Sequence, residues 1–319
     1  MNQFSRALVT GGAGFIGSWL SESLVNLGAS VRILDNFRSG TVNNLASVLR
    51  SVELVKGDVR DYEVVERAVE DAEFVFHLAA NASVPASTDN PDYDFNTNAL
   101  GTYNVLKAMR KKCEDAVLVY TSSAAVYGEP AYTPIDERHP LSPASFYGAS
   151  KVAGEAYCSA FHRIYGMKTV ILRLFNTYGP RQPRYVMYDL LKKLSRNPKK
   201  LEMLGTGHQK RDFTYVTDCV TAILLAAERP DAIGEALNVG NGRSVTIKRL
   251  VELILDRLGL TDETTVFYTG KSWKGDVSAL EANIDLSKKI LGYDPKVSLE
   301  RGVARVIDWF YHAQRKTKL

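Results

Sequence analysis

The sequence of 319 residues lacks the features that mark several classes of protein. Its three cysteines, Cys113, Cys158 and Cys219, are far apart and lack metal-ligand spacing, which favours reduced thiols over a disulfide framework. No stretch approaches the ~18 apolar residues of a membrane-spanning helix, and the first residues leave no room for a signal peptide. A formal charge of +4 is too small to indicate nucleic-acid binding. We expect a cytoplasmic protein without a metal site.

A glycine-rich run near the N-terminus stands between a strand and a helix. Residues 6–10 have the pattern of a buried strand, and the run 11–17, Gly-Gly-Ala-Gly-Phe-Ile-Gly, follows at once. A helical pattern over 18–27 and a strand over 31–35 complete a βαβ unit of about 30 residues. Such a turn lets the backbone approach a pyrophosphate at the helix N-terminus. The sequence therefore predicts a dinucleotide site.

Asp35 ends the second predicted strand and indicates which dinucleotide binds. A carboxylate there accepts hydrogen bonds from the adenosine ribose hydroxyls and repels a 2′-phosphate, which favours NAD over NADP. Arg38, three residues later, is the opposing signal. Asp58 follows the third predicted strand, where it could accept from the adenine amine or cap a helix. The residues leave both roles of Asp58 open.

Short apolar strands alternate with helical patterns through the first half of the chain. This alternation predicts the α/β class, with a Rossmann-type doubly wound parallel sheet. After about residue 178 the loops lengthen and prolines appear, which indicates a smaller α/β domain that binds the substrate. We predict one domain over 1–177, with 217–240 returning to it, and a second over 178–216 and 241–319.

Tyr147 and Lys151 are four residues apart in a helical pattern, so their side chains project from one face. Ser122 and Ser123 lie upstream. A lysine ammonium favours the tyrosinate, and a serine hydroxyl can share a substrate oxygen. An unperturbed phenol has a pKa of about 10, so the lysine is expected to bring this base nearer to neutral pH. These residues can take a proton from an alcohol while a hydride is removed.

Several motifs recur in an order that resembles a known family. They are the glycine-rich run 11–17, His-Leu-Ala-Ala at 77–80, Ser-Ser-Ala-Ala-Val-Tyr-Gly at 122–128, Tyr-x-x-x-Lys at 147–151, Phe-Asn-x-Tyr-Gly-Pro-Arg at 175–181, Arg-Asp-Phe at 211–213 and Gly-Asp at 275–276. From about residue 5 to 311 the chain resembles an extended short-chain dehydrogenase/reductase of the nucleotide-sugar epimerase branch. The resemblance implies a Rossmann domain that holds NAD and a C-terminal domain that closes over a nucleoside-diphosphate sugar.

The resemblance also implies a role for each matching residue. Tyr147 is the general base, Lys151 binds the nicotinamide ribose, and Ser123 hydrogen-bonds the reacting hydroxyl. For Asn98, a helix-capping role is an equal alternative to cofactor binding. The implied cofactor residues are Gly11, Gly14, Phe15, Ile16, Gly17, Asp35, Asn36, Arg38, Asp58, Val59, Leu78, Ala79, Ala80, Asn98, Ser122, Tyr147 and Lys151. The implied substrate residues are Ser83, Ser123, Tyr147, Asn176, Arg184, Arg211, Trp273 and Asp276.

The two residues after the serine pair indicate the reaction. Family members that eliminate water from the sugar carry Asp-Glu there, because elimination needs an additional acid and base. This chain has Ala124 and Ala125, which transfer no protons. We therefore predict oxidation and re-reduction at one carbon, first of all by a UDP-glucose/UDP-galactose 4-epimerase. A UDP-GlcNAc or UDP-glucuronate 4-epimerase, or another epimerase or reductase of GDP- or CDP-sugars, is the alternative.

Departures from the family pattern concern the substrate. Trp273 stands where an arginine commonly reaches the diphosphate, and Arg184 could reach the diphosphate or a sugar carboxylate. UDP-glucuronate epimerases usually present a threonine in place of Asn176 and an arginine in place of Pro183, which counts against that alternative. Leu280 falls near a wall position where a small residue would admit an N-acetyl group.

The resemblance further implies a homodimer. Relatives pair the two helices that correspond to about 95–111 and 147–165. Apolar residues on these helices could form that interface or the core of one subunit. The candidates are Leu106, Met109, Phe161 and Ile164.

Overall fold

A computed structural model describes residues 4–271 and 277–317. The strands are β1 (Arg6–Thr10), β2 (Ser30–Asp35), β3 (Val52–Lys56), β4 (Phe74–His77), β5 (Val117–Ser123), β6 (Lys168–Leu174), β7 (Asn176–Tyr178), β8 (Lys200–Met203), β9 (Lys210–Tyr215), β10 (Ala236–Val239), β11 (Ser244–Thr246) and β12 (Thr265–Tyr268). The helices are α1 (Phe15–Asn26), α2 (Tyr62–Ala68), α3 (Val84–Asp89), α4 (Pro91–Phe95), α5 (Gly101–Lys112), α6 (Phe146–Tyr165), α7 (Tyr185–Arg196), α8 (Val216–Glu228), α9 (Ile247–Leu258), α10 (Asp285–Leu291) and α11 (Leu299–Thr317).

The centre of the fold is a seven-stranded sheet in the order β3-β2-β1-β4-β5-β6-β10. All of its strand pairs are parallel. Chain order runs outward in opposite directions from β1, which pairs with β2 on one side and β4 on the other. In such sheets ligands bind beyond the carboxyl ends of the strands at this point. The predicted doubly wound, Rossmann-type sheet is confirmed.

Helices bury apolar side chains on both faces of this sheet, since successive strand residues alternate between two core clusters. α1 and α8 pack over one cluster, and α2, α5 and α6 pack over the other. Leu106, Met109 and Phe161 are buried in the second cluster. These three residues are therefore core residues of one subunit and are not available for a dimer surface. Ile164 alone of the predicted set is exposed.

A third core lies among the later elements of the chain. The strands form a three-stranded sheet in the order β11-β9-β7 and a parallel pair of β12 with β8, and α7, α9 and α11 pack around them. β10 pairs instead with β6 in the large sheet. The domain boundaries given above stay a prediction. No helix in the described part of the chain is both long and apolar enough to cross a membrane.

Candidate active site

The carboxyl ends of the large sheet border a cavity of ≈ 1110 Å³. Pockets that take one drug-sized ligand measure roughly 300–1,000 Å³, so this cavity has room for a dinucleotide and a second ligand. Every predicted cofactor residue lines it except Asn98. Of the predicted substrate residues, Ser83, Ser123, Tyr147, Asn176, Arg184 and Arg211 line it. Trp273 and Asp276 lie outside the described residues.

The glycine-rich run turns tightly between β1 and α1 because its neighbours leave no room for side chains. Gly11 has φ +71°, and a Cβ there would lie 2.8 Å from the amide nitrogen of Ala79. A Cβ on Gly17 would lie 2.2 Å from the Gly11 carbonyl oxygen. Gly14 begins α1 without a side-chain cap, so the N–H groups of the first turn face the cavity without a capping side chain. This geometry fits a pyrophosphate.

Asp35 is buried at the end of β2, as the sequence predicts. One carboxylate oxygen accepts the Ala13 N–H at 2.9 Å and the other accepts the Phe37 N–H at 2.8 Å. Burial raises the pKa of Asp35, and the two backbone hydrogen bonds oppose that rise. Each oxygen keeps a second lone pair, which suits the two hydroxyls of a ribose.

Asp58 also lines the cavity, but its carboxylate is fully engaged. One oxygen accepts the Arg60 N–H at 3.0 Å and Nε at 2.9 Å, and the other accepts Arg60 Nη2 at 2.9 Å and Asn36 Nδ2 at 2.7 Å. These four donors occupy the lone pairs of the group. In this structure the carboxylate anchors Arg60, and its contact with adenine stays a prediction. It does not cap a helix, since Asp61 caps α2.

Tyr93 is a cavity residue that the sequence reading missed. The Arg38 guanidinium lies 4.0 Å from its ring centroid, and the Arg60 guanidinium lies 4.7 Å from it. The three side chains come from separate segments, so no local sequence pattern predicts these contacts. Both guanidinium groups contact the ring by cation–π interactions, and Arg60 is also paired with Asp58 at 2.9 Å.

Tyr147 lies in the first turn of α6, and two serines fix that turn. Ser145 caps the helix by accepting the Gly148 N–H at 3.1 Å, and Ser87 Oγ accepts the Tyr147 N–H at 3.2 Å. Lys151 follows one turn later and is only 2% exposed. Both side chains line the cavity, as the spacing predicts.

The surroundings of Tyr147 shift its ionisation. Burial raises the pKa of Tyr147, while a hydrogen bond with Ser123 and then the charge of Arg184 lower it. Lys151 Nζ donates to the Thr121 carbonyl at 2.8 Å. The predicted tuning of Tyr147 by Lys151 stays a prediction.

The serine pair divides into two roles. Ser122 Oγ donates to Glu155 Oε1 at 2.6 Å inside the core, so its side chain is unavailable to cofactor or substrate. Ser123 ends β5, and its Oγ accepts the Ala125 N–H at 3.2 Å while it also reaches the Tyr147 phenol. Ser123 is thus the serine that can meet a reacting hydroxyl.

Asn98 does not line the cavity, which corrects its prediction as a cofactor residue. A π-helical turn, Asn96–Leu100, joins α4 to α5, and such turns recur at functional sites. The Asn98 amide reaches the Asn81 N–H at 2.8 Å, Ser150 Oγ at 3.0 Å and Asp94 Oδ1 at 3.1 Å. Thr97, its neighbour, lines the cavity instead.

The substrate end of the cavity carries two arginines. Arg184 lines the cavity together with Tyr147, and its guanidinium lies 5.2 Å from the centroid of the Tyr185 ring. Arg211 on β9 donates to the Lys210 carbonyl at 2.7 Å and the Val277 carbonyl at 2.8 Å. The sequence predicted both arginines.

Other polar side chains complete that end. Asn176 begins β7 and is exposed to the cavity. Ser83 caps α3 by accepting the Ala86 N–H at 3.3 Å. Tyr185 was not predicted; it has φ +70°, and its hydroxyl donates to the Ala82 carbonyl across the cavity mouth. Leu280 lies in the cavity wall, as predicted.

The match to a known family follows the same residues. Residues 8–306 match the protein family described as GDP-mannose 4,6 dehydratase. The chain belongs to this family. The resemblance inferred from the motifs, to nucleotide-sugar enzymes of the extended short-chain dehydrogenase/reductase type, is thereby confirmed.

Relatives of known structure or name cover nearly the whole chain. A UDP-glucose 4-epimerase of Mycolicibacterium smegmatis is 34% identical over 96% of this chain and 98% of its own. The structure of a UDP-glucose 4-epimerase from Thermotoga maritima with UDP-glucose has a TM-score of 0.90 and 34% identity, covering 97% of this chain and 99% of that one. A UDP-glucuronic acid 4-epimerase from Bacillus cereus, with UDP-glucuronic acid and NAD, has a TM-score of 0.89 and 30% identity, again covering 97% and 99%.

The buried ammonium of Lys151 gives a stability prediction. Burial lowers the pKa of Lys151 from 10.5 to about 8, and Asp94 opposes that shift. At pH 7 this buried cation lowers the free energy of unfolding by about 3 kcal/mol, because the two pKa values differ by about 2.5 and each unit corresponds to about 1.4 kcal/mol. We expect Lys151→Met to abolish turnover and to raise the free energy of unfolding at pH 7 by about 1–3 kcal/mol, after the loss of the Thr121 hydrogen bond.

The sign of that effect can be checked with pH. Between pH 8 and 10.5 the unfolded chain holds the Lys151 proton and the folded chain does not, so wild-type stability rises with pH relative to the variant. Urea unfolding at pH 7 and pH 10 measures the difference. A variant that is less stable than wild type by the same amount at both pH values contradicts the prediction.

Proposed function

We propose that the protein is an NAD-dependent epimerase that interconverts UDP-glucose and UDP-galactose at C4. The observation that carries this proposal is the position of Tyr147, Lys151 and Ser123 in the same cavity as a dinucleotide turn. The relatives named UDP-glucose 4-epimerase, at 34% identity over nearly the full chain, support the substrate.

The cofactor site fits NAD by its own chemistry. The open N-terminus of α1 suits the pyrophosphate, and the two free lone pairs of Asp35 suit the ribose hydroxyls. The Asp35 charge opposes a 2′-phosphate. A relative solved with NAD supports the same choice. When bound, NAD supplies the acceptor that takes a hydride from the sugar and gives it back.

The chain's own residues handle the proton. Tyr147 takes the proton of the C4 hydroxyl, and Ser123 holds the same oxygen by a hydrogen bond. Lys151 and Arg184 keep positive charge near the phenolate. The keto sugar must present its other face before it is reduced, so it must turn within the cavity of ≈ 1110 Å³.

Ala124 and Ala125 favour epimerisation over dehydration, although the family takes its description from a dehydratase. Ala124 is buried, and Ala125 forms a short 3-10 turn with it in which the Ser123 hydroxyl is the cap. Neither side chain can donate or accept a proton. Water elimination needs such a group beside the sugar.

A second candidate substrate is a UDP-hexuronic acid. Arg184 lines the same cavity as Tyr147, where its guanidinium could pair with a carboxylate at C5 of the sugar. The relative from Bacillus cereus that was solved with UDP-glucuronic acid supports this candidate.

A panel of nucleotide sugars separates these candidates. Purified protein is incubated with UDP-galactose, UDP-GlcNAc, UDP-glucuronate and GDP-mannose without added cofactor, and the products are identified by NMR. The proposal expects the C4 epimer of UDP-galactose at the highest kcat/KM. A 4-keto-6-deoxy product, or no epimer from any UDP-sugar, contradicts it.

We also propose a homodimer that forms through the outer face of α4–α6. Phe95, Tyr157 and Ile164 are 58%, 44% and 70% exposed on these helices, and an exposed apolar patch marks an interaction site. Sedimentation equilibrium should give twice the mass of the chain, and Ile164→Glu should give the monomer. Phe267→Glu, an exposed apolar residue on β12, is the control that should stay dimeric. A monomeric wild type contradicts the proposal.

We place the protein in the cytoplasm as part of the same proposal. Cys113, Cys158 and Cys219 are free thiols, as suits a reducing compartment. Cell fractionation with an antibody to the protein tests the placement, and recovery from an oxidising compartment contradicts it.

A further inference from the structure

A fully buried carboxylate lies beside the catalytic helix and has no part in the chemistry proposed above. Asp94 on α4 is 0% exposed. It accepts Ser150 Oγ at 2.6 Å, Asn81 Nδ2 at 3.0 Å and Asn98 Nδ2 at 3.1 Å. All three donors are neutral. In the described part of the chain no arginine, lysine or histidine forms an ion pair with it, so its burial is costly.

The partners of Asp94 belong to both halves of the active site. Ser150 precedes Lys151 directly, and its Oγ lies 3.0 Å from the Tyr147 carbonyl oxygen. Asn81 follows the two cavity-lining alanines after β4, and its N–H is held by Asn98. The π-helical turn brings Asn98 onto the Asp94 carboxylate. One group thus ties the catalytic helix to the loop that lines the cofactor end.

The charge of Asp94 also acts on Lys151, and no ion pair with Asp94 is present among residues 4–271 and 277–317. On α6, Glu155 is paired with Arg173 at 2.7 Å, and burial raises the pKa of the Cys158 thiol, which keeps it neutral. The phenols of Tyr147 on α6 and Tyr120 on β5 are neutral too, since burial raises the pKa of each.

His77 on β4 is the remaining titratable group near Lys151 to consider. Burial, and to a smaller extent the charge of Lys151, lowers the pKa of His77 to about 3, so its ring is neutral. The Asp94 carboxylate is therefore an unpaired negative charge that favours the Lys151 ammonium. Burial raises the pKa of Asp94, and the hydrogen bonds from Ser150 and Asn81 and the charge of Lys151 oppose that rise.

We propose that Asp94 is a positioning residue: it docks the catalytic helix on the cofactor loop and keeps Lys151 as a cation. This inference rests on the proposed function for its kinetic consequence only. The charge state of Lys151 can be measured without substrate.

The test compares Asp94→Asn with wild type by following the Lys151 ¹⁵Nζ resonance against pH. Asn keeps the shape and removes the charge. We expect the Lys151 titration midpoint to fall by at least one pH unit, and the alkaline limb of kcat to move by the same amount. At pH 8, kcat should fall at least about fivefold, as the protonated fraction of Lys151 falls, while KM and bound NAD stay the same. Asp92→Asn, at an exposed position on the same helix, should leave all five quantities unchanged.

Each outcome decides the point. An unchanged Lys151 midpoint in Asp94→Asn overturns the proposal, even if kcat falls. If this variant does not fold, Ser150→Ala keeps the charge and removes one tether, and it should lower kcat without moving the midpoint. Infrared spectra of wild type then complete the test: a protonated Asp94 at pH 7 overturns the proposal. If no nucleotide sugar is epimerised, the midpoint shift still stands or fails by itself.

Discussion

Tyr147→Phe lowers kcat by about 10³-fold or more and leaves NAD bound, because general acid–base groups contribute roughly 10²–10⁴-fold and Tyr147 is the group that Ser123 holds in place to take the proton. The ring keeps its place in the first turn of α6, which is fixed through the backbone by Ser145 and Ser87. Ser123 has no base to serve in its absence. Turnover of UDP-galactose and the NAD content of the purified protein are the two measurements.

Tyr165→Phe is the matched control for this substitution. Tyr165 ends the same helix, is exposed, and contacts Arg110 rather than the cavity. It should keep full activity. A Tyr147→Phe protein with more than one tenth of wild-type kcat would mean that another group is the base, and Tyr185 would then be the first to examine because it faces Tyr147.

Arg173→Leu should lower the free energy of unfolding strongly, because it leaves the Glu155 carboxylate buried without its cation. Arg173 and Glu155 are 7% and 5% exposed and meet at 2.7 Å. Arg173 also donates to the Tyr127 hydroxyl at 3.0 Å and the Glu137 carbonyl at 3.1 Å. Removing one partner of such a pair costs about 3–5 kcal/mol. Urea unfolding at pH 7 measures that loss.

Two variants make the result specific. Replacing both partners, Arg173→Leu with Glu155→Leu, should recover much of the lost stability, because an apolar pair replaces an ion pair with little net change. Arg138→Leu removes the exposed partner of Asp136 and should cost less than about 1 kcal/mol. Equal losses for Arg173→Leu and Arg138→Leu contradict the account of this buried pair.

Some of the site could be predicted from sequence because its chemistry is local. The glycine-rich run needs its glycines where Ala79 and Gly11 itself crowd the turn. Tyr147 and Lys151 share a helix face whatever surrounds them. Asp35 ends a strand, and a strand end in a parallel sheet faces the ligand.

Other roles depend on partners that are distant in the chain. In the sequence Ser122 looks equivalent to Ser123. In the structure Glu155, 33 residues later, accepts a hydrogen bond from the Ser122 hydroxyl. Asn98 matches a cofactor position but is drawn inward by Asp94 through a π-helical turn. Lys151 was expected beside the phenol, yet the Thr121 carbonyl 30 residues away holds it. Periodicity and motif spacing carry no information on these contacts.

Two aromatic residues belong to the cavity although the sequence did not predict them. Tyr93 belongs to the cavity because Arg38 and Arg60 stack on it, and Tyr185 because it reaches Ala82 across the mouth. Neither lies in a motif of its own. Both are defined by packing between separate segments, which only the folded chain reveals.

Deuterium at C4 of UDP-galactose tests the central claim most directly. The protein is incubated with this substrate in ordinary water without added NAD or NADH, and the product is examined by NMR. Oxidation and re-reduction at one carbon predicts UDP-glucose that still carries the deuterium at C4. Deuterium found at C6 of a deoxysugar, or lost to water, contradicts the account.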